Sequence, residues 1–223
     1  MNTRTSRTRG LPRHRTAPAA IPSRLPLILG GGVVGLIAVA AVVAFALSGT
    51  ASTALAEPAR TRTGVTGAAL APFSDPASDP AVGQPIPTLT GTDLAGDPVS
   101  IGPEDGPTVV VILAHWCPHC QAEVPVLVDY LAATGMPDGV RLVALSTAID
   151  AARPNYPPSA WLDREGWTAP TLVDDASSSG LTALGMDSFP GFVFVDGDGR
   201  VVQRFTGEMP IEAFDRVVRS LAP

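Results

Sequence analysis

No lysine occurs in the 223 residues, cysteine occurs twice, histidine three times, and no carboxylate precedes Glu57. Each scarcity narrows what the chain can do. The 15 basic residues are all arginine. Six lie before residue 25, and the nine that follow stand against 21 acidic residues, a balance of −12. That sign argues against nucleic acid, because phosphate binding needs basic neutralisation. The two cysteines are Cys117 and Cys120, in "AHWCPHCQAEVP". Spaced i and i+3, they can close a small disulfide ring, supply half of a metal site, or cycle between thiol and disulfide.

The N-terminal 24 residues carry Arg4, Arg7, Arg9, Arg13, Arg15 and Arg24 among Ser, Thr and Pro, which is the composition of a disordered basic arm. Residues 25–47 follow without a charge. At 1.5 Å per residue they can span roughly 30 Å of hydrocarbon as a single transmembrane helix or signal anchor. The arginine excess keeps the arm in the cytoplasm, so everything after Leu47 is expected outside it. Cleavage after Ala54-Leu55-Ala56 is the competing reading, but signal h-regions run only about 7–15 residues. Either way the compartment permits disulfides. Residues 48–83, rich in Ala, Pro, Ser, Thr and Gly, are expected to be a flexible linker.

Residues 84–223 have the size of one domain. Extended segments at Ile86 to Thr90 and Pro98 to Ile101 flank "DLAGDP" and predict a hairpin. "TVVVILA", 108–114, is an unbroken apolar run suited to a strand buried on both faces. After it Val124, Leu127, Val128 and Leu131 recur at helical spacing, "TGMPDG" ends the helix, and "VRLVALS" predicts a second buried strand. Together they make a β-α-β unit, an α/β signature.

The cysteines therefore fall where a strand gives way to a helix. Backbone N–H groups at a helix N-terminus lack intrahelical partners, and the dipole presents positive charge, so a thiolate on Cys117 is stabilised. Cys117 is the candidate attacking sulfur, and Cys120, one turn on, the resolving one. Pro118 at the first helical position costs no hydrogen bond.

Strand, Trp116-Cys117-x-x-Cys120, helix, and Pro125 five residues beyond the second cysteine resemble the thioredoxin superfamily. "SFPGFVFVDGDGRVVQRFTGE", 188–208, resembles that fold's cis-proline and terminal hairpin, followed by a last helix in "PIEAFDRVVRSLA". "VGQPIPTLTGTDLAGDPVSI" and "CQAEVP" are similar to the membrane-anchored TlpA-like and ResA-like members, over roughly residues 82–222. The resemblance implies a thioredoxin fold, a central mixed sheet flanked by helices, with an extra N-terminal β-hairpin. It implies a redox-active disulfide between Cys117 and Cys120 and no cofactor or metal. It also implies a substrate-contact role for Phe189 and cis Pro190, and an acidic residue near the cysteines in Glu123, whose plain alternative is a solvated carboxylate that the helix dipole would favour anyway. Trp116, Pro118, His119 and Glu123 are the residues expected to tune the thiolate.

The chain also departs from the family. Val111 stands where thioredoxin has a buried aspartate, so a proton relay must use Glu123, His119 or water. Gly191 replaces a common threonine, so a more open groove is expected. His119 beside a thiolate stabilises the reduced pair and makes the disulfide a better oxidant. Pro-His is the dipeptide of DsbA-type oxidases, whereas the scaffold resembles reductases such as those supplying reduced thiols for cytochrome c maturation. His115 is expected at the rim, and Trp161 and Trp167 in the core.

Other uses of the pair fit less well. Zinc needs four convergent ligands, and His115, Cys117, His119 and Cys120 are crowded into six residues. A Sco-like copper site needs a distant histidine, but the remaining one, His14, lies across the membrane. Haem attachment needs histidine where Gln121 stands. "DGDGR" lacks the third ligand and the glutamate of a calcium loop, so a hairpin turn is expected. The expected function is an extracytoplasmic, membrane-tethered thiol-disulfide oxidoreductase acting on protein thiols and reset by a redox partner, with a lean to oxidation. A TlpA-like reductase, or a client-binding module with a structural disulfide, are the alternatives.

Overall fold

The computed structural model describes residues 63–223. The arginine arm, the apolar run at 25–47 and the first part of the expected linker lie outside these. Among the described residues no helix is long and apolar enough to cross a membrane.

Eight strands and four α-helices make up the domain. In chain order they are β1 (Gly64–Thr66), β2 (Thr88–Thr92), β3 (Pro98–Ile101), β4 (Thr108–Leu113), α1 (Pro118–Ala133), β5 (Arg141–Ser146), α2 (Pro158–Arg164), β6 (Thr171–Val173), α3 (Ser179–Ala183), β7 (Gly191–Val195), β8 (Val201–Thr206) and α4 (Ile211–Leu221). The central sheet runs β6-β5-β4-β7-β8, with β4, β5 and β6 parallel and β7 and β8 antiparallel to their neighbours. It is the mixed sheet of a thioredoxin-like α/β fold, and the expected hairpin is present as β2 and β3.

Every residue of β4 is buried, and alternation along the strand explains why its apolar run is unbroken. Val109, Val111 and Leu113 pack with Val124 and Leu127 of α1 and Phe214 and Val218 of α4. Val110 and Ile112 point the other way, into a second core with Ile86, Leu89, Ile101, Leu172 and Leu181. The cysteine-bearing loop thus leaves the sheet from its most enclosed strand. Trp161 and Trp167 are buried, as expected. The "DGDG" segment is a turn in which Asp196 Oδ1 accepts from the N–H groups of Asp198 and Arg200.

The expected linker does not extend to residue 83. The chain is already packed at Thr63, the first described residue: β1 pairs with β2, and Leu70 and Ala81 are buried. The buried Arg204 guanidinium of β8 grips Asp79, with Nε 2.9 Å from Oδ2, and donates to the carbonyls of Ala71 and Leu184. Gly185 makes this possible: at φ +65°, a Cβ there would come 2.3 Å from the Ala71 oxygen. Composition alone suggests a tether, because the Arg204 contacts that hold this strap lie more than 100 residues away.

Candidate functional site

Cys117 is the N-cap of α1 and Pro118 its first residue, so the strand-to-helix turn sets the sulfurs at the helix N-terminus. Both cysteines are present as thiols, Cys117 6% exposed and Cys120 fully buried. Cys117 Sγ donates to the Phe189 carbonyl at 3.5 Å, and Cys120 Sγ accepts from the Ala114 N–H at 3.5 Å. The Phe189–Pro190 peptide is cis. The Cys117–Phe189 contact joins the sequence-distant Phe189-Pro190 loop to the first thiol. Phe189 also meets Trp116 edge-to-face at 5.8 Å.

Burial pushes the Cys120 thiol well above the ordinary thiol range, and neighbouring Cys117 and Glu123 push it further against the opposing Ala114 N–H. Both sulfurs are buried but unequal: Cys117 keeps a small exposure and bonds a carbonyl, while Cys120 is fully enclosed and reluctant to ionise.

Glu123 is not a solvated carboxylate. It is 3% exposed, its Oε2 accepts from the Met209 N–H at 3.1 Å, and its buried Oε1 has no hydrogen-bond partner. Burial raises its carboxyl from 4.5 to about 7, the Met209 N–H opposes this, and Glu208 adds to it. A cavity of about 380 Å³ lined by Ala122, Glu123, Val126, Glu208 and Met209 opens beside it. Val111, where a buried aspartate was noted as missing, lies fully in the core. The buried carboxylate of this region sits on α1 and not on β4.

His119 turns to Glu208, with Nδ1 2.7 Å from Oε1, and both side chains are largely exposed. Glu208 escaped the sequence reading, since 89 positions separate the pair and no local pattern marks it.

His115 is fully buried, contrary to the rim position expected from its place beside Trp116. Its Nδ1 donates to the Pro154 carbonyl at 2.7 Å, while Nε2 accepts from the Asp150 N–H at 3.2 Å. A carbonyl can only accept and an amide N–H only donate, so these partners select the neutral tautomer with the proton on Nδ1. The imidazoles of His115 and His119 are thus directed to Pro154 with Asp150 and to Glu208. Gly191 does not open the groove: a Cβ there would lie 3.1 Å from Met186 Cε, so the space is already filled.

Residues 81–220 match the Redoxin family. Among curated proteins the chain is similar to the thiol-disulfide oxidoreductase ResA of Geobacillus kaustophilus, 27% identical over 144 residues, which are 64% of this chain and 79% of the relative. It is likewise similar to the ResA protein of Bacillus anthracis, 24% identical over 143 residues with the same two coverages. Among solved structures, the thiol:disulfide interchange protein of the thioredoxin family from Chlorobium tepidum superposes with a TM-score of 0.52 at 21% identity, covering 67% of this chain and 98% of that one. At that identity the superposition speaks to the fold alone.

Proposed function

The chain belongs to the Redoxin family, and from that membership and the unequal thiols we propose that it is a thiol-disulfide oxidoreductase acting on protein clients through Cys117 and Cys120. The observation that carries the reading is the pairing of a sulfur at a helix N-cap, bonded to the Phe189 carbonyl beside cis Pro190, with a fully enclosed sulfur one turn inside. The ResA names of the relatives support the same chemistry. Residues 25–47 tether the domain to the cytoplasmic membrane, with the thiols outside the cytoplasm.

In the oxidising direction a client thiolate attacks Cys117 of the disulfide. The client–Cys117 bond forms, the Cys117–Cys120 bond breaks, and Cys120 departs as a thiolate that its buried surroundings strongly favour protonating. A second client thiolate then releases Cys117. In the reducing direction Cys117 attacks a client disulfide, and Cys120 must lose its proton to resolve the adduct. Glu123, raised to about 7, serves both directions as the nearby proton store: it is acidic enough to give the proton up and basic enough to take it back. Phe189 and Pro190 contact the client, and Pro118, His119 and Trp116 frame the thiolate.

The Pro-His dipeptide favours oxidation of clients as the first reading. One observation favours the second reading, reduction: the His119 Nδ1 is engaged by the Glu208 carboxylate, which places an acidic group beside the pair that the imidazole would otherwise serve alone.

A Cys120→Ser variant tests the reading. It should accumulate mixed disulfides with clients through Cys117, sensitive to reductant and absent from Cys117→Ser. Client capture that persists unchanged in both variants would establish a binding module instead.

A further inference from the structure

Contacts lead outward from the thiol in three steps. Cys117 Sγ touches the Phe189 carbonyl, the Phe189 ring meets Trp116, and the Arg153 guanidinium lies 4.5 Å from the Trp116 ring centre. The segment that carries Arg153, residues 148–157, is held at this place by the two residues that precede Cys117. Trp116 Nε1 donates to the Ala148 carbonyl at 2.7 Å. His115 bonds the Pro154 carbonyl and the Asp150 N–H through its ring, and its own carbonyl accepts from Asn155 Nδ2 at 3.4 Å. Ala148 adopts a left-handed φ of 49°, uncommon for alanine, so the start of the segment is set by these bonds and not by local preference, while Asn155 at 60° suits that region better.

From this arrangement we propose that segment 148–157 is the selectivity wall of the thiol groove, and that Arg153 favours clients carrying a carboxylate beside the reacting cysteine. The inference rests on the thiol-exchange reading above. The guanidinium remains available to a client: among the described residues its ion-pair neighbour is Asp150, 3.7 Å away at an exposed site, where such pairs are weak. Asp150 Oδ1 is also engaged by the Ala152 N–H. Stacked on an aromatic face, an arginine still presents its planar donor fork to a carboxylate. The other charged pair beside the thiols, His119 with Glu208, is closed on itself. On a domain where residues 63–223 carry seven arginines against 20 acidic residues, Arg153 supplies attraction for an acidic client beside the thiols.

The test uses Cys120→Ser protein and three disulfide-linked peptide dimers that differ in having Glu, Gln or Lys next to cysteine. The Cys117 thiolate attacks one peptide sulfur, the Cys117–peptide bond forms, the peptide disulfide breaks, and the second peptide leaves as thiolate. Adduct formation is timed by intact mass. Relative to protein that also carries Arg153→Gln, the Glu:Lys rate ratio should be about two- to fivefold higher, as one exposed ion pair allows, and should shrink at high salt. Arg153→Glu should shift the ratio the other way. A ratio identical in all three proteins overturns this inference alone, whereas no adduct with any peptide overturns the thiol-exchange reading and this inference with it.

Discussion

Glu208 closes on His119 across the mouth of the site, its Oε1 2.7 Å from Nδ1, while the next residue, Met209, holds Glu123 by its N–H. One turn after β8 therefore addresses both titratable groups that flank the cysteines. Glu208→Gln removes a carboxylate from the mouth of the site, which should favour the reduced pair and make the disulfide more oxidising. His119→Pro should do the reverse. For exposed groups each shift is on the order of 10 mV, measurable by equilibration with glutathione. A potential near that of thioredoxin, about −270 mV, and unmoved by either change, would leave reduction as the direction.

Glu123 links exchange to pH. Its carboxyl is raised to about 7 in the folded protein, so between the unfolded value of 4.5 and 7 the folded state binds more protons than the unfolded one. Stability contributed by Glu123 is then full below 4.5 and falls as pH rises through 7, by on the order of 3 kcal/mol in all. Urea denaturation of wild type and Glu123→Gln should show this slope only in the wild type, with the variant the more stable at pH 8. The pH profile of client exchange should lose its inflection near 7 in the same variant.

The Asp79–Arg204 pair should behave as a buried ion pair. Asp79→Ala leaves an enclosed guanidinium without its partner, which costs about 3–5 kcal/mol. Arg204 holds the Asp79 carboxyl below its ordinary value of 3.8, so this contribution is present above 3.8 and is lost as pH falls through the lower folded value. A denaturation midpoint unchanged in Asp79→Ala would contradict this account.

If residues 25–47 are an uncleaved anchor, the intact protein should stay with membranes at high salt, because its retention is apolar and not electrostatic. A soluble mature chain starting at Glu57 would make the segment a signal peptide.

The site was legible where its parts are close in sequence, and obscure where they are not. Cys117, Cys120 and Pro118 follow from one strand-to-helix turn, and the apolar runs of β4 and β5 announce the sheet. Pro190 was reached through family likeness, since an X-Pro bond by itself carries a low prior for cis. The second cis bond, Tyr156–Pro157, had no such guide. Glu208, Arg153 and the burial of His115 depend on chain segments tens of residues away, and a histidine beside a tryptophan shows neither its exposure nor its partners. The strap at 63–83 was misjudged for the same reason: its composition resembles a tether, while Arg204, which fixes it, lies on the penultimate element.

Thr63 binds Asp174 through its hydroxyl and Asp175 through its N–H, and Asp174 also accepts from the Thr147 hydroxyl. Thr147 and Asp174 each directly follow one of the parallel strands, β5 and β6, and the turn to Cys117 follows the third, β4. The upstream chain accordingly enters the domain on the same rim that bears the sulfurs, two strands along. A body hinged at its working rim moves that rim least and its far rim, here the Asp196–Arg200 turn, most. If residues 25–47 hold the domain at a membrane, rotation about Thr63 would therefore displace the Asp196–Arg200 turn further than the thiols.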